Sequence, residues 1–419
     1  METRRLLAIS WAMPPILAPR SIQVSRTIQA LADLGWNIDL LCVSPESASK
    51  AYKLDASLPL PAASKVNMVR ICSSEQSRIQ NILRRIFSPL RFIPDASRAW
   101  IKPAIASGMN LLKKNNYDAM ISFAQPWSDH IVALQLQETT NLRWIAHFSD
   151  PWTDSPYFAA KGIGKLYSKQ KEQAVLARAD AIIFTNEQTR STVMQKYPPD
   201  WKHKTHVIPH GFDADIVPAS LPSLPDAGKL HLVYTGNFYQ MRSPEPLMHA
   251  LAKVCEDRTH AEQLAVTFIG STPAVFQEMA ATLNLSDIIR FLPTMPNKEA
   301  IENAAQADIL LIIDAPSEKS LFLPSKLIDY LPLRKPILGI TPLEGASADL
   351  LRRLECRVCP PDDISQIANA IKSLLKKWKQ GTLGVSASYD QVARSYDIRE
   401  TTQILNRILL GERQKHDQA

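Results

Sequence analysis

The sequence predicts an α/β protein with two Rossmann-like domains, each built around a doubly wound parallel sheet. Short apolar strands alternate with amphipathic helices along the chain, which is typical of parallel sheets. This alternation stops in a Pro- and Ser-rich stretch at residues 216–228 and then resumes. The length of 419 residues also suits two domains, since one domain usually takes ~150 residues.

The first half begins with a β-α-β pattern, in which strands at 6–10 and 38–43 flank a helix over 22–34 that ends at Gly35. The later elements of this half are predicted as strands at 119–123, 144–148, 181–184 and 207–208 and helices over 129–137 and 165–178. We therefore expect a first domain at 1–215, followed by a linker at 216–228.

The second half repeats the same alternation. Its predicted elements are strands at 230–234, 264–269, 289–292 and 309–313 and helices over 246–254, 276–283 and 298–305. These elements define a second domain at 229–390. The tail at 391–419 contains a helical pattern, and we expect this helix to pack back toward the first domain.

Composition indicates a soluble globular protein, with 45% hydrophobic and 21% charged residues. The net charge of +7 favours anionic partners without choosing among nucleic acid, lipid head groups and phosphorylated substrates. Five scattered cysteines argue for a reducing compartment. Cys356 and Cys359 have C-x-x-C spacing but lack a second ligand pair, so we expect structural thiols and no metal. Because no signal peptide or membrane span is recognisable, we expect a cytoplasmic protein.

Residues 322–342 combine a polar turn, one short helix, a Pro-bounded elbow and an apolar strand. Ser325 is predicted to cap the helix, and Lys326 lies in its first turn, where backbone N–H groups and the helix dipole attract a diphosphate. Asp329 lies one turn further, where its carboxylate would reach sugar hydroxyls. This pair suits a nucleotide-sugar. The alternative is an ordinary amphipathic helix with two solvated charges.

Arg242 follows the predicted strand at 230–234 and Gly236. Its guanidinium would fork onto a diphosphate, and the glycine would permit close backbone approach. The alternative is a surface arginine and a turn glycine. Lys326 and Arg242 together would stabilise a departing nucleoside diphosphate.

Asp150 follows the strand at 144–148, at the carboxyl edge where open α/β sheets bind ligands. We consider it a base or orienting group for an acceptor, or else a loop aspartate that caps Trp152. His147 lies inside the same strand and is either a catalytic residue or a satisfied core histidine.

Residues 78–92 are basic and apolar at helical spacing. One interpretation is a helix on an anionic membrane surface, with Arg84, Arg85, Phe87 and Arg91 facing the lipid. The other is a helix against the core of the first domain with solvated arginines. The membrane interpretation would favour a lipid-linked acceptor and a peripheral position on the inner face of the plasma membrane.

Six motifs follow one another along the chain. They are a Pro-Pro loop at 10–15 continued at 18–21, Pro-Asp at 92–95 with Trp100, His-Phe-Ser-Asp-Pro-Trp at 147–152, a Pro-His-Gly turn at 208–213, a glycine loop at 234–244 and the helix segment at 322–342. In this order they resemble the GT-B glycosyltransferases, specifically glycosyltransferase family 4. The usual glycine pair of the first loop is replaced by Pro19, Arg20 and Ser21.

The resemblance implies two domains facing a cleft, with a nucleotide-sugar donor held mainly by the second. By this resemblance the donor contacts would come from Gly236, Asn237, Arg242, Leu323, Ser325, Lys326 and Asp329. Arg20 and Trp152 would lie on the acceptor side, and the acceptor would be a saccharide or a lipid-linked sugar. It also implies retention of configuration, no cofactor or metal, and a role in bacterial surface polysaccharide or glycolipid biosynthesis. We expect no nucleic-acid partner, since only the net charge favours one.

The chain departs from the family at one important position. The family commonly has two glutamates separated by seven residues, and Leu321 and Asp329 stand in their places. Either the backbone at 321–323 compensates, or Glu318 substitutes, or catalysis is weakened. Two alternatives to a transferase therefore stay open, a GT-B sugar-nucleotide epimerase and a catalytically impaired binding or scaffold protein. The absence of G-x-G-x-x-G and G-K-[ST] patterns argues against dinucleotide oxidoreductases and P-loop ATPases.

Overall fold

A computed structural model describes residues 4–73, 94–158, 160–217, 228–238 and 241–412. The chain divides into two compact units. Unit 1 comprises Met1–Gly211 with Ile398–Ala419, and unit 2 comprises Phe212–Asp397. The sequence placed the corresponding boundaries at 215 and 391. The second boundary falls later because Tyr389 and Ala393 are buried in the core of unit 2.

Unit 1 is built on a parallel sheet of seven strands in its described residues, in the order β3-β2-β1-β4-β5-β6-β7. The strands are β1 Arg5–Ile9, β2 Asn37–Val43, β3 Val66–Ile71, β4 Ala119–Ala124, β5 Trp144–Phe148, β6 Ala181–Phe184 and β7 Thr205–Val207. The sequence analysis missed β3. This strand lies at the edge of the sheet and is only half-buried, so it lacks a continuous apolar run.

The helices of unit 1 lie between these strands. They are α1 Pro19–Asp33, α2 Pro45–Ala48, α3 Ile101–Lys114, α4 Ser128–Thr140, α5 Ile163–Arg178 and α6 Glu187–Met194, with 3-10 turns at Arg98–Trp100 and Pro199–Lys204. α1 begins with a proline at its first position, where a missing N–H costs nothing. α6 is capped by Asn186, whose side chain accepts a hydrogen bond from the Thr189 N–H at 2.8 Å.

Unit 2 is built on a second parallel sheet, with six strands in its described residues in the order β10-β9-β8-β11-β12-β13. The strands are β8 Leu230–Thr235, β9 Leu264–Ile269, β10 Ile289–Leu292, β11 Ile309–Ile313, β12 Ile337–Ile340 and β13 Arg357–Cys359. The helices are α7 Glu245–Cys255, α8 Arg258–Ala261, α9 Ala274–Thr282, α10 Asn297–Ala305, α11 Ser325–Tyr330, α12 Ala346–Arg353, α13 Ile364–Lys379 and α14 Tyr389–Arg394, with 3-10 turns at Ala214–Ile216 and Leu331–Leu333.

Both sheets are covered by apolar side chains on each face. In β1, Leu7 and Ile9 join one core cluster of unit 1, whereas Leu6 and Ala8 join the cluster on the opposite face. Alternate side chains of a strand point to opposite faces, so a strand buried on both faces is apolar throughout. The two core clusters of unit 2 are arranged in the same way. The predicted class of two doubly wound parallel sheets is confirmed.

The last helix, α15 Ile398–Leu409, packs on unit 1 as predicted. Its residues Leu405 and Ile408 lie in the same core cluster as the strands β1 and β2. The Trp36 indole N–H donates a hydrogen bond of 2.7 Å to the Asn406 side chain. Residues far apart in the sequence therefore complete the core of unit 1.

The predicted membrane-facing residues Arg84, Arg85, Phe87 and Arg91 lie outside the described residues. Among the helices that the structure describes, none combines the length and the apolar character needed to cross a bilayer.

Candidate functional site

The site predicted in unit 2 begins where β8 ends. Gly236 follows this strand with a φ of 132°, a conformation that only glycine adopts easily. A Cβ atom at this position would overlap the ammonium group of Lys326. The glycine therefore leaves room for the lysine, and the structure brings together two residues that the sequence analysis had selected separately.

Lys326 reaches this position from α11. Its Nζ atom lies 3.7 Å from the centroid of the Tyr234 ring, and it is buried. No hydrogen-bond acceptor in the described part of the chain reaches it. Burial and the nearby Arg242 guanidinium lower the pKa of Lys326 well below its ordinary value, and Asp314 partly opposes them.

Helix α11 is held against β8 by Tyr330. Its phenol oxygen accepts a hydrogen bond of 2.9 Å from the Thr235 N–H and lies 3.0 Å from the Thr235 hydroxyl. This contact fixes the helix that carries Lys326 relative to the strand that carries Tyr234. The lysine is thus oriented by the fold before any ligand arrives.

Arg242 forms an ion pair with Asp314, with 3.5 Å between Nη2 and Oδ1. Asp314 follows β11, is 7% exposed and accepts a 2.8 Å hydrogen bond from the Thr341 hydroxyl. The sequence analysis missed Asp314. A polar residue directly after a buried strand was the available signal, the same one that selected Asp150.

The other predicted donor residues have mixed outcomes. The Asn237 side chain accepts a 2.8 Å hydrogen bond from the Ser271 N–H, so it ties two loops together. Leu323 packs against the core of unit 2, and Asp329 is buried on α11. The prediction that Ser325 caps α11 is wrong, because the extended Pro324 precedes the helix and Ser325 is its first helical residue.

The position of the missing family glutamate is partly buried, and the nearby alternative Glu318 is exposed. Neighbouring Ser320 bonds within its own loop, where its hydroxyl donates to the Phe322 carbonyl at 3.1 Å. Leu321 therefore sits in an ordered loop, with an apolar side chain where the family has a carboxylate.

In unit 1, Asp150 follows β5 and is partly buried. It accepts a hydrogen bond of 3.0 Å from the Gln125 amide, and Arg20 donates to the adjacent Ser149 hydroxyl. Burial raises the pKa of Asp150, while the charge of Arg20 works in the opposite direction. Arg20 and Asp150 therefore belong to one polar cluster at the carboxyl edge of the sheet.

His147 lies beside His210 in the same unit, with ring centroids 5.7 Å apart. Burial lowers the pKa of His147 well below its ordinary value and the pKa of His210 to about 3, with Arg20 adding to both shifts. Both imidazoles are therefore neutral at pH 7. The Nδ1 atom of His147 is buried without a hydrogen-bond partner among the described residues. His210 was missed by the sequence analysis.

Trp152 is fully buried and stacks on Trp127, with ring centroids 4.9 Å apart and an interplanar angle of 4°. Its ring is therefore part of the core of unit 1. We expected it on the acceptor side, but a side chain with no exposed surface cannot contact an acceptor in this structure.

Two further carboxylates of unit 1 were not predicted as site residues, although Asp95 belongs to the Pro-Asp motif at 92–95. Asp95 accepts hydrogen bonds from the Ser128 N–H and hydroxyl at 2.8 and 2.7 Å, and Asp129 accepts one from the Trp11 N–H at 2.9 Å. Burial raises the pKa of both groups. They join loops at the carboxyl edge of the sheet. Among the described residues, no group of three or more His, Cys, Asp or Glu side chains is arranged to hold a metal ion.

The chain is similar to known glycosyltransferases. Residues 21–216 match the sequence model of Glycosyltransferase Family 4. A D-inositol 3-phosphate glycosyltransferase of Geodermatophilus obscurus is 25% identical over 157 residues, which cover 34% of each chain. The matched region spans about a third of the length of the curated relatives.

Solved structures agree in fold over nearly the whole chain. Sucrose-phosphate synthase from Thermosynechococcus elongatus has a TM-score of 0.70 at 16% identity, covering 97% of this chain and 98% of that one. HepE from Anabaena, solved in complex with UDP and glucose, has a TM-score of 0.65 at 12% identity, covering 97% and 100%. The predicted resemblance to GT-B proteins of glycosyltransferase family 4 is confirmed.

Proposed function

We propose that this chain, a GT-B protein whose residues 21–216 match Glycosyltransferase Family 4, is a glycosyltransferase that moves a sugar from a nucleotide-sugar to an acceptor hydroxyl. The observation that carries the proposal is the pair of cations in unit 2. Lys326 presents a buried amino group beneath Gly236, and Arg242 is close enough to lower its pKa. An arriving diphosphate would stabilise the ammonium form of this group. A diphosphate is the ligand class that two such cations fit best.

The two cations would stabilise the leaving nucleoside diphosphate. Negative charge grows on the diphosphate as the bond to the sugar breaks, and a preorganised donor aimed at such charge is worth ~3–4 kcal/mol. Asp314 forms an ion pair with the Arg242 guanidinium, and its charge only partly opposes the lowering of the Lys326 pKa. We propose that these side chains supply the positive charge without a metal ion and that the sugar keeps its anomeric configuration.

The acceptor would be activated by unit 1. Asp150 lies at the carboxyl edge of the sheet, where its carboxylate can orient an acceptor hydroxyl or receive its proton. The charge of Arg20 favours the ionised carboxylate by lowering the pKa of Asp150 against the larger effect of burial. His147 is neutral, and its Nδ1 atom has no hydrogen-bond partner among the described residues. This atom would accept a hydrogen bond from a sugar hydroxyl or donate one to it.

We further propose a saccharide or lipid-linked acceptor in the assembly of a bacterial surface polysaccharide or glycolipid, at the inner face of the plasma membrane. The net charge of +7 supports a position near anionic lipid. The curated relatives are named for inositol 3-phosphate, and a phosphorylated acceptor would also suit the partly buried Arg20.

Leu321 favours a second candidate function, a binding protein that kept the fold and lost catalysis. The family glutamate at this position would be able to hydrogen-bond a ligand, and a leucine side chain cannot. The backbone at 321–323 would have to take over that contact in an active enzyme. Turnover of a bound donor separates the two candidates.

The test is a panel of nucleotide-sugars screened for thermal stabilisation. A donor at 100 times its dissociation constant should add ~2.7 kcal/mol to the free energy of unfolding. The best ligand is then incubated with saccharide and lipid-linked acceptors, while release of nucleoside diphosphate is measured and the product anomer is assigned by NMR. Binding without release would favour the impaired protein. If no nucleotide-sugar stabilises the chain, the donor site is wrong.

A further inference from the structure

The first two turns of helix α5 in unit 1 are amphipathic in the reverse sense to a normal surface helix, whereas later in the helix Val175 and Leu176 are buried in the core. In its first two turns the residues that face the core are Gly164 and Ser168, and both are buried. The large apolar residues point outward, with Ile163 78%, Leu166 59% and Tyr167 40% exposed. A soluble protein gains free energy by the opposite arrangement, so this outward face needs another explanation.

The exposed patch extends into the loop before the helix and is surrounded by positive charge. Tyr157 precedes the helix and is 52% exposed. The stretch 157–171 contains four lysines and no acidic residue, and these are Lys161, Lys165, Lys169 and Lys171. Lys171 lies with its Nζ 5.5 Å from the Tyr167 ring centroid, so charge and apolar surface adjoin. We refer to these residues as the 157–171 surface.

We propose that the 157–171 surface docks on an anionic lipid bilayer, with Ile163, Leu166 and Tyr167 entering the interface between head groups and acyl chains. Exposed apolar side chains flanked by lysines are what such an interface selects. Lysines near an anionic membrane are attracted by its surface potential.

The buried face of α5 shows why docking here would serve transfer. Glu172 lies on that face and accepts a 2.8 Å hydrogen bond from the Thr153 N–H, three residues after Asp150. The same helix thus presents the 157–171 surface on one side and holds the loop of the proposed acceptor residue on the other. This link to a lipid-linked acceptor rests on the proposed function, whereas binding to lipid does not.

The experiment is flotation of the full chain with vesicles of phosphatidylcholine alone or with 30% phosphatidylglycerol. The wild-type protein should float with the anionic vesicles, less so at high salt. Ile163→Asp combined with Leu166→Asp should reduce binding by about tenfold or more. Lys165→Glu combined with Lys169→Glu should reduce it by about 30-fold or more, since each lysine near the surface contributes about 1 kcal/mol.

Matched controls come from unit 2. Val275→Asp with Leu343→Asp changes two residues that are 55% and 45% exposed, and Lys372→Glu with Lys376→Glu reverses two exposed charges on α13. Both controls should bind vesicles as the wild type does. Nucleotide-sugar binding, measured in parallel, should be the same in all variants, so a failure of the donor site is recognised separately.

Three results would overturn the proposal. The first is a wild-type chain that does not float with anionic vesicles. The second is undiminished flotation of the 157–171 variants, which would assign membrane binding to another segment such as 78–92. The third is a wild-type chain that forms a concentration-dependent dimer, when the 157–171 variants lose the dimer but still bind vesicles. This result would make the 157–171 surface a contact with a second copy of the chain.

Discussion

The Nζ atom of Lys326 lies 3.7 Å from the centroid of the Tyr234 ring, beneath Gly236. The ring face attracts the ammonium form, whereas burial and Arg242 favour the neutral amine and lower the pKa of Lys326. An arriving diphosphate would reverse this balance, because two negative charges at this position stabilise the ammonium form. Proton uptake should therefore accompany donor binding.

Proton uptake is the first prediction. Binding of the nucleoside diphosphate that the panel identifies should take up a proton in the wild-type chain, and Lys326→Met should bind more weakly without this uptake. Titration calorimetry at pH 8 in buffers of different ionisation enthalpy measures it. Lys372→Met, which removes an exposed lysine on α13, should behave as the wild type. Equal uptake by Lys326→Met would place the responsible group elsewhere.

The same lysine should make the stability of the free protein depend on pH. The unfolded chain has an ordinary lysine pKa of ~10.4, so between the lowered pKa and that value it binds more protons than the folded chain. The free energy of unfolding therefore rises with pH in this window. Lys326→Met should lose this rise and be the more stable protein at pH 7, with the difference shrinking toward pH 10. Urea unfolding from pH 6 to 10 measures both chains, and parallel curves would contradict the lowered pKa.

Gly236 allows steric crowding and backbone strain to be separated. Gly236→Ala should cost about 1–3 kcal/mol of stability, since its φ is 132°, and should displace Lys326 and weaken nucleotide binding. Gly381 has a φ of 65° and open space within 4 Å of the point where a Cβ atom would stand, so Gly381→Ala carries strain alone. Chemical unfolding and nucleotide titration should show stability loss in both variants and affinity loss in Gly236→Ala only. If Gly236→Ala binds the nucleotide as tightly as the wild type, the position of Lys326 is not important for nucleotide binding.

The sheets were predictable because strands buried on both faces are continuous apolar runs. The strands β3 and β13 escaped this pattern, because each lies at the edge of its sheet and is only partly buried. The start of α11 was predicted less well, since serine is a common cap but Pro324 already fixes the extended residue before the helix. Local patterns therefore found most of the strands, but not every element or boundary.

The candidate site was predictable in part. Lys326 and Arg242 were predicted as site residues because each follows a turn or a strand. Tyr234 was named only as a residue of the strand at 230–234 and of the glycine loop at 234–244, without a role in the site. Its contact with Lys326 joins positions far apart in the sequence, which periodicity cannot show. Likewise, nothing near Arg242 in the sequence indicates Asp314, which reaches it from a different strand of the sheet.

Asp150 should set the acid side of the pH profile of transfer. Its pKa is raised by burial, and the rate should fall as pH falls through that pKa because the carboxylate becomes protonated. Asp150→Asn should reduce the transfer rate by about 10²–10⁴-fold and spare donor affinity. Steady-state rates from pH 4 to 8 and separate donor titration measure the two effects. Asp200→Asn, an exposed aspartate of unit 1, is the control.

Arg20→Met completes the test of Asp150. In this variant the acid limb of the pH profile, where the transfer rate falls as pH falls, should move to higher pH. The arginine charge lowers the pKa of Asp150, so its removal leaves burial unopposed. The same variant also removes the hydrogen bond to Ser149, which would lower the rate at every pH without moving the limb. The pH profile of the transfer rate therefore distinguishes the two roles. An unshifted limb in Arg20→Met would show that another group governs the acid side.

The last prediction concerns Glu172, whose side chain is fully buried and accepts three hydrogen bonds, from the Thr153 N–H at 2.8 Å, Lys196 Nζ at 2.7 Å and the Tyr197 hydroxyl at 3.0 Å. Glu172→Gln replaces one carboxylate oxygen with an amide NH2 group, so it cannot accept all three hydrogen bonds. It also removes one of the two carboxylates that pair with Lys196, which then keeps Asp154. We expect a loss of about 3 kcal/mol of stability.

A matched control is the exposed pair of Glu187 with Arg190, whose atoms are 2.7 Å apart. Glu187→Gln should cost less than about 1 kcal/mol, because solvent screens an exposed pair. Because Thr153 lies in the same loop as Asp150, Glu172→Gln should also lower the rate of transfer while leaving donor affinity unchanged. Urea unfolding and donor titration test both parts. Equal stability losses in the two variants would mean that burial of Glu172 adds nothing to the free energy of unfolding. An unchanged transfer rate in Glu172→Gln would show that the hydrogen bond from Glu172 to Thr153 does not position the acceptor residues.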